Sequence, residues 1–430
     1  MSQMTETPQS IHALIDQVGR KLGHRPNVVR MFETCIKNTL HTTIRRWPDG
    51  TTYVITGDIP AMWLRDSAAQ VRPYLAAAAD DNDIADCIQG LVERQFQFIL
   101  HDPYANAFND SPSGKGHQTD ITSMTPWIWE RKYEVDSLCY PIQLSYLLWK
   151  NTGRSSQFNA SFVQAARAII ALWKQEQHHE TGSPYSFQRL AKGGEQLPRN
   201  GKGTLTAYTG MTWSGFRPSD DPCQYGYLIP SNMFAVVVLR YIAEISQMVL
   251  KDEALAEEAK ELSRGIDQGI QAYGIVEHPQ YGRIYAYETD GLGRYNLMDD
   301  ANVPSLLSIP YLGYAPADDP IYQNTRRFIL SENNPYFFKG EAAEGIGSPH
   351  TPHRFIWHIA LAVQGLTAVH PEEKEHMLTL LEHTDAGTGM MHEGFDADDP
   401  GQFTRKWFSW ANMMFCELVL DLCGIRVKER

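Results

Sequence analysis

The sequence predicts an all-α fold: six helical hairpins closed into a ring, one helix of each lining the inside and one the outside. Three observations carry this. Twelve segments have helical character, and apolar segments alternate with amphipathic ones along the chain. The six apolar segments each open on a polar residue. No strand–helix–strand series of the parallel-sheet type intervenes.

In chain order the alternation begins with "NVVRMFETCIKNTLHTTIRR" from Asn27, whose charges interrupt apolar positions at helical spacing, as on an outer layer. "DSAAQVRPYLAAAA" from Asp66 is apolar or small on nearly every face, as a buried helix is. "IADCIQGLVERQFQFIL" from Ile84 is amphipathic again, and "DSLCYPIQLSYLLWK" from Asp136 is apolar. The pattern repeats in "SFVQAARAIIALWKQEQ" and "SNMFAVVVLRYIAEI" (from Ser231), then in "DEALAEEAKELSRGIDQGIQAYG" and "DANVPSLLSIPYL" (from Asp300). "PIYQNTRRFILS" with "RFIWHIALAVQGL" (from Arg354), and "EEKEHMLTLLEHT" with "SWANMMFCELVLDL" (from Ser409), complete it. Asp66, Asp136, Ser231 and Asp300 stand where an N-cap accepts backbone N–H groups. "GRIYAYETDGLGRYNLMDD" reads as local β-hairpins.

In such a ring the inner helices run in one direction, so their positive ends share a rim. Long loops at 103–135 and 176–230, rich in Gly, Ser, Pro and aromatic residues, fall on that rim. Loops of this length inside a compact domain usually carry function. No linker-like stretch divides the chain, so residues 1–430 are expected to form one domain.

The 430 residues are 43% hydrophobic and 21% charged, a soluble globular mix. A net charge of -13 leaves no basic surface for tracking phosphates, which excludes nucleic acid as the expected partner. The N-terminal "MSQMTETPQSIHALIDQVGRKLG" lacks the apolar core of a signal peptide, and no run of ~18 apolar residues suggests a membrane span. Cys35, Cys87, Cys139, Cys223, Cys416 and Cys423 are scattered, with no C-x-x-C. A reduced, cytoplasmic, monomeric protein without a membrane partner is expected.

Two loop segments combine carboxylates, aromatics and glycine. "YTGMTWSGFRPSDDPCQYGYLIPSN" holds Asp220 and Asp221 near Trp213, Arg217 and Tyr225; "GTGMMHEGFDADDPGQFTRKWFSWAN" holds Glu393 near His392, Trp407 and Trp410. They precede the third and sixth inner helices, which lie opposite each other in a six-fold ring. Two carboxylates facing across a cavity are what inverting glycoside hydrolysis needs. One protonates the leaving oxygen; the other deprotonates a water on the far face, roughly 6.5–9.5 Å away. "TGDIPAMWLRDSAAQ" adds Trp63, Arg65 and Asp66, a ring, a fixed cation and a carboxylate crowded at a helix start. Other chemistries fit poorly. "DADDPG" begins like a calcium loop but has Pro400 at its fifth position and Trp407 at its twelfth. "RNGKGT" lacks the phosphate-loop order, no G-x-S-x-G occurs, and "SPHTPHRFIWH" lacks the H-E-x-x-H spacing of a zinc site. No cofactor or metal is expected.

The stretches "TGDIPAMWLRDSAAQ", "YEVDSLCYP", "TGMTWSGFRPSDD", "YLIPSNMF", "MDDANVPSLL", "SPHTP" and "MHEGFDADDPGQFTRKWFSWAN" together resemble glycoside hydrolase family 125. The resemblance runs along nearly the whole chain. It implies an (α/α)6 fold and an exo-acting α-1,6-mannosidase that inverts anomeric configuration without a metal. It places the general acid on an aspartate of "RPSDD", taken as Asp220 with Asp221 as the alternative, and the general base on Glu393 of "MHEGF". A partly desolvated site is then expected to hold Asp220 protonated while Glu393 is ionised and holds the water. It makes Arg65, Asp66 and Asp136 sugar-clamping residues, with Asn302 and His350 in similar roles. Trp63, Tyr225 and Trp410 are the aromatic candidates beside them. The implied substrate is a mannose-terminated oligosaccharide, such as one derived from an N-glycan.

Overall fold

The computed structural model describes residues 2–190 and 195–428. Apolar spacing and helix formation agree along most of it. The amphipathic segments form the helices Pro26–Thr42, Asn82–His101, Ala160–Glu176, Glu253–Tyr273, Pro320–Ile329 and Pro371–His383. A further amphipathic helix, Gln9–Leu22, precedes them; it buries Ile11, Leu14, Ile15, Val18 and Leu22 at helical spacing. Each such side chain contributes roughly 1.5–3 kcal/mol when fully buried. The apolar segments form Leu64–Val71, Val135–Thr152, Ile229–Ile245, His358–Leu366 and Ser409–Leu422. All eight residues of Leu64–Val71 are buried.

The apolar helices are neighbours. Ser409–Leu422 packs on Leu64–Val71, which packs on Val135–Thr152, which packs on Ile229–Ile245; His358–Leu366 packs on the other side of Ser409–Leu422. The amphipathic helices back them: Pro26–Thr42 against Ser409–Leu422, Asn82–His101 against Val135–Thr152, Glu253–Tyr273 against Ile229–Ile245, and Pro371–His383 against His358–Leu366. Most buried apolar side chains from Ile11 to Cys423 form one connected cluster, and Ala61, Trp63 and Ala107 form a small second one.

Three expectations need correction. The segment from Asp300 is mostly irregular, with helix only at Ile309–Leu312. Pro304 and Pro310 each remove an N–H donor, and a proline restricts the residue before it. The N–H groups of Leu306 and Leu307 turn instead to the Asp299 carboxylate, at 2.8 and 2.9 Å. Second, Asp66, Asp136 and Ser231 are not N-caps. The helices begin earlier, at Leu64, Val135 and Ile229, with no side-chain capping bond. Their side chains therefore lie within the first turn, free for other partners. Third, one helical run, Ile229–Leu250, is long and apolar enough to cross a membrane. Most of its apolar window is buried inside the protein, where it packs between two other helices.

Short antiparallel sheets lead into the apolar helices. Met62–Trp63 pairs with Ala107–Phe108, which pairs with Ile128–Glu130. Tyr227–Leu228 pairs with Glu288–Thr289, which forms the anticipated hairpin with Tyr295–Asn296. Phe355–Trp357 pairs with Gly394–Asp396 and runs directly into the helix at His358, later than the Arg354 start expected.

Candidate active site

A cavity of about 180 Å³ lies where these strand-to-helix junctions meet. Trp63, Arg65 and Asp66 enter it from the start of Leu64–Val71, and Phe408 and Trp410 from the start of Ser409–Leu422. Trp357 stands opposite Gly394 in the strand pair, which brings Glu393 to the same wall.

The loop carrying Asp220 is fixed by an ion pair. Arg217 donates through Nε to Glu288 Oε1 at 2.6 Å and through its backbone N–H to the Asp221 carbonyl at 2.8 Å. The other Glu288 oxygen accepts the backbone N–H groups of Gln224 and Tyr225. Asp220 itself has φ +69°, a left-handed conformation that a non-glycine residue adopts at a cost. Arg405, with φ +47°, repeats the device on the Glu393 side. Its guanidinium binds Asp58, lies 4.2 Å from the centre of the Phe408 ring and approaches Glu393 Oε1 at 3.6 Å. Both segments that bear the paired carboxylates are thus bent by a left-handed residue and held by an arginine.

Arg65 is the electrostatic centre. Its Nη1 donates to Glu134 Oε2 at 2.6 Å and to Asp136 Oδ2 at 3.0 Å, and its Nη2 to Asp220 Oδ1 at 3.4 Å. Asp66 Oδ2 lies 3.6 Å from its Nε. Four carboxyl groups crowd one buried guanidinium, and they respond unequally. Burial pushes Glu134 well above the usual carboxylate range, with Arg65 opposing and Asp220 reinforcing. Burial acts on Asp220 in the same direction, but Lys132 and Arg65 outweigh it and hold this carboxyl below its ordinary range. The expectation from the sequence was an Asp220 held protonated by desolvation. In the resting site the cations win. On His350, burial works against the charge, but the Asp221 carboxylate beside it prevails and pushes the imidazole up to about 9. His350 is therefore an imidazolium at neutral pH.

Four buried donors on the cavity-lining residues lack a hydrogen-bond partner among the described residues: Trp63 Nε1, Arg65 Nε, Trp410 Nε1 and Asn302 Nδ2. An unpaired buried donor costs about 1–3 kcal/mol. A ligand rich in hydroxyls, bound between aromatic faces, would satisfy them.

Of the residues expected from the sequence, Trp63, Arg65, Asp66, Asp220, Asn302, His350, Glu393 and Trp410 line this cavity. Asp136 and Tyr225 do not. Asp136 is fully buried against Arg65, and Tyr225 packs under the Arg294 guanidinium at 5.2 Å. Asp221 faces His350 Nδ1 at 3.5 Å and accepts from Ser219. His392 stacks on Phe403 away from the cavity lining. Sequence reasoning missed Thr56, Trp357, Arg405 and Phe408 on the wall, and Lys132 and Glu134 behind it. Arg405 sits inside the same motif as Glu393, and only its basic charge after the acidic run from Asp396 to Asp399 hinted at it.

One group of possible metal ligands occurs among the described residues: Glu195, Asp221 and His350, their ligand atoms within 4.8 Å of one another. Lys132 Nζ lies 2.7 Å from Glu195 Oε2, and the Asp221 carboxylate holds His350 protonated. An ammonium and an imidazolium already supply the positive charge there.

The chain matches the family model of metal-independent α-mannosidases, glycoside hydrolase family 125, over residues 25–420. The chain belongs to glycoside hydrolase family 125. A Streptococcus pneumoniae metal-independent α-mannosidase, solved as a non-productive substrate complex with α-1,6-mannobiose, is similar at 52% identity and a TM-score of 0.96, with 98% of this chain and 100% of that one covered. The meiotically up-regulated gene 157 protein of Schizosaccharomyces pombe is 41% identical over 438 residues, covering 96% of this chain and 86% of that protein. A wild-type glycosidase at 12% identity, with a TM-score of 0.57 and 96% and 98% of the two chains covered, shares the fold alone.

Within this family 125 site, the charge on Asp66 costs stability. Burial raises its pKa to about 6, Arg65 opposing and Asp220 adding to the rise. A raised carboxyl contributes stability below its unfolded pKa, and that stability is lost as pH rises through the folded value. The Asp66→Asn variant should therefore gain on the wild type between about pH 4 and pH 7, by up to about 3 kcal/mol. Its activity should fall roughly ten- to a hundred-fold, the worth of a charge-assisted hydrogen bond to substrate. Melting temperatures across pH, beside turnover, check both. A variant that is less stable at pH 7 yet fully active would show that the carboxylate is there for the fold.

Proposed function

We propose that this family 125 member is an exo-acting, inverting α-1,6-mannosidase built as one (α/α)6 domain, with Asp220 as general acid and Glu393 as general base. The observation that carries the reading is that two carboxylates from separate loops line one small cavity that also holds unpartnered buried donors. The serial packing of the five apolar helices, four of them backed by an amphipathic one, supports the toroid. A volume of about 180 Å³ is below the ~300 Å³ at which drug-sized ligands are taken up, so it suits one sugar ring rather than a chain. That favours removal of a terminal residue. The α-1,6 linkage is supported by the mannobiose bound in the pneumococcal relative.

In this reading the terminal mannose stacks among Trp63, Trp357 and Trp410. Arg65, Asp66, Asn302 and His350 fix its hydroxyls. Asp220 gives a proton to the glycosidic oxygen as that bond breaks. Glu393 takes a proton from the water that attacks the anomeric carbon from the opposite face. Arg405, with Nη1 3.6 Å from Glu393 Oε1, orients that carboxylate. No step uses a metal, in keeping with the family description.

The experiment is NMR of the first sugar formed from α-1,6-mannobiose. Inversion predicts β-mannose at the earliest time points, followed by mutarotation. α-Mannose first would replace inversion by retention, and no mannose at all would reduce the site to a binding one.

A further inference from the structure

Asp220 faces two ways. Its side chain is about one quarter exposed, toward the cavity, while its Oδ1 points inward to Arg65 Nη2 and to Asn106 Nδ2, at 3.4 and 3.3 Å. The same Asn106 Nδ2 lies 3.4 Å from Glu134 Oε1 and also donates to Glu130 Oε2 at 3.1 Å, and Glu134 Oε2 takes Arg65 Nη1 and the Ser137 hydroxyl, at 2.6 and 2.8 Å. Glu134 and Asp220 are thus clasped by one guanidinium and one amide. Glu134 is fully buried and does not line the cavity. The local charges do not balance. Arg65 meets Glu134, Asp136, Asp66 and Asp220, while Lys132 and Arg189 share Glu130, Glu195 and Asp120, so seven carboxyl groups surround three cations. Buried carboxylates in such excess cannot all ionise, so a proton stays in the cluster.

We propose that Glu134 is the positioning residue that stores the proton Asp220 delivers: the two carboxyl groups, bridged by Arg65 and Asn106, hold one proton between them. The inference rests on Asp220 being the general acid. In the resting site Glu134 is the carboxylic acid and Asp220 the carboxylate. The O–H bond of Glu134 breaks as one forms on Asp220, leaving Glu134 ionised against Arg65 and Ser137. Asp220 then passes a proton to the departing glycosidic oxygen, and both carboxyl groups end ionised until solvent returns one proton. No oxidant or further reactant is needed. The unequal response to burial agrees with this allocation, Glu134 lying above its ordinary range and Asp220 below. Other titratable groups also face the pair. Around Glu134 these are Asp136, Tyr185 and Cys223; around Asp220 they are Lys132, His350, Glu130, Asp66 and Asp136. A coupled pair titrates as a unit, so its proton loss sets the alkaline limb of the rate profile.

The test is the pH profile of kcat on α-1,6-mannobiose and on a dinitrophenyl α-mannoside. The Glu134→Gln variant keeps the shape but has no proton to give. Its alkaline limb on mannobiose should move acidward by about one unit or more, a loss of roughly tenfold per unit at neutral pH. Turnover of the aryl substrate, which hardly needs the proton, should change little. Ser137→Ala, a milder change outside the cavity lining, removes a donor to ionised Glu134 and should move the limb the other way. It decides the matter if the first variant does not fold. Equal losses on both substrates with an unmoved limb would overturn the proposal, as would an unmoved limb in Ser137→Ala. Asp220→Ala, assayed beside them, separates the failures. If it shows no preference for the aryl substrate, the general-acid reading falls. If it shows that preference while the Glu134 and Ser137 variants behave as wild type, only the stored proton falls.

Discussion

Asp220→Ala should abolish hydrolysis of α-1,6-mannobiose and leave substantial turnover of a dinitrophenyl α-mannoside. A general acid matters in proportion to how badly the departing oxygen needs a proton. A sugar alkoxide needs one acutely; a dinitrophenolate hardly does. General acid catalysis contributes about 10²–10⁴ in rate, so a loss at the top of this range is expected on the disaccharide and one within about tenfold on the aryl glycoside. The fold should survive. Asp220 is one of several carboxylates around Arg65, and removing it leaves that guanidinium paired with Glu134 and Asp136. The adjacent Asp221 is the internal control. It binds His350 and Ser219, so Asp221→Ala should weaken both substrates alike through the histidine's charge and placement. If the leaving-group preference appears in Asp221→Ala and not in Asp220→Ala, the acid is Asp221.

The contrast between these neighbours shows what the sequence can and cannot tell. "RPSDD" marks two aspartates as chemistry-bearing, but nothing in the string separates them. The structure does so through a left-handed turn at Asp220 and through partners far along the chain. Arg65 and Asp220 lie 155 residues apart, and Arg65 and Glu134 lie 69 apart. Local patterns do not report such pairs. Helix layers were legible because burial leaves a period of about 3.6 in the sequence. The irregular run from Asp300 was not, since its apolar residues imitate a helix while Pro304 and Pro310 withhold the donors that one needs. Trp357 and Phe408 escaped because an aromatic in an apolar setting reads equally as core. The resting charge of Asp220 was misread for a related reason. Desolvation was foreseeable from burial, but Lys132 comes from a segment whose approach only the fold reveals.

Glu393→Ala should depress both substrates together, by roughly 10²–10⁴, whatever the leaving group. The base serves the attacking water, and no improvement of the departing oxygen replaces that service. Two losses combine. The water has no proton acceptor, and it is no longer held in line with the anomeric carbon, where positioning alone lowers the barrier. The environment supports the role. Glu393 is almost wholly buried, lines the same cavity as Asp220, and has Arg405 Nη1 at 3.6 Å to orient it. Deleting Glu393 leaves Arg405 bound to Asp58 and resting on Phe408, so the loop should stay in place and melting should shift little. The decisive measurement is a small anion, such as azide, added to the variant with the dinitrophenyl substrate. An anion entering the space left by the carboxylate attacks from the water's side. It should restore turnover and give a β-linked mannosyl product. A product of α configuration would place Glu393 on the leaving-group side and reverse the two assignments. A selective loss on mannobiose alone would do the same by an independent route.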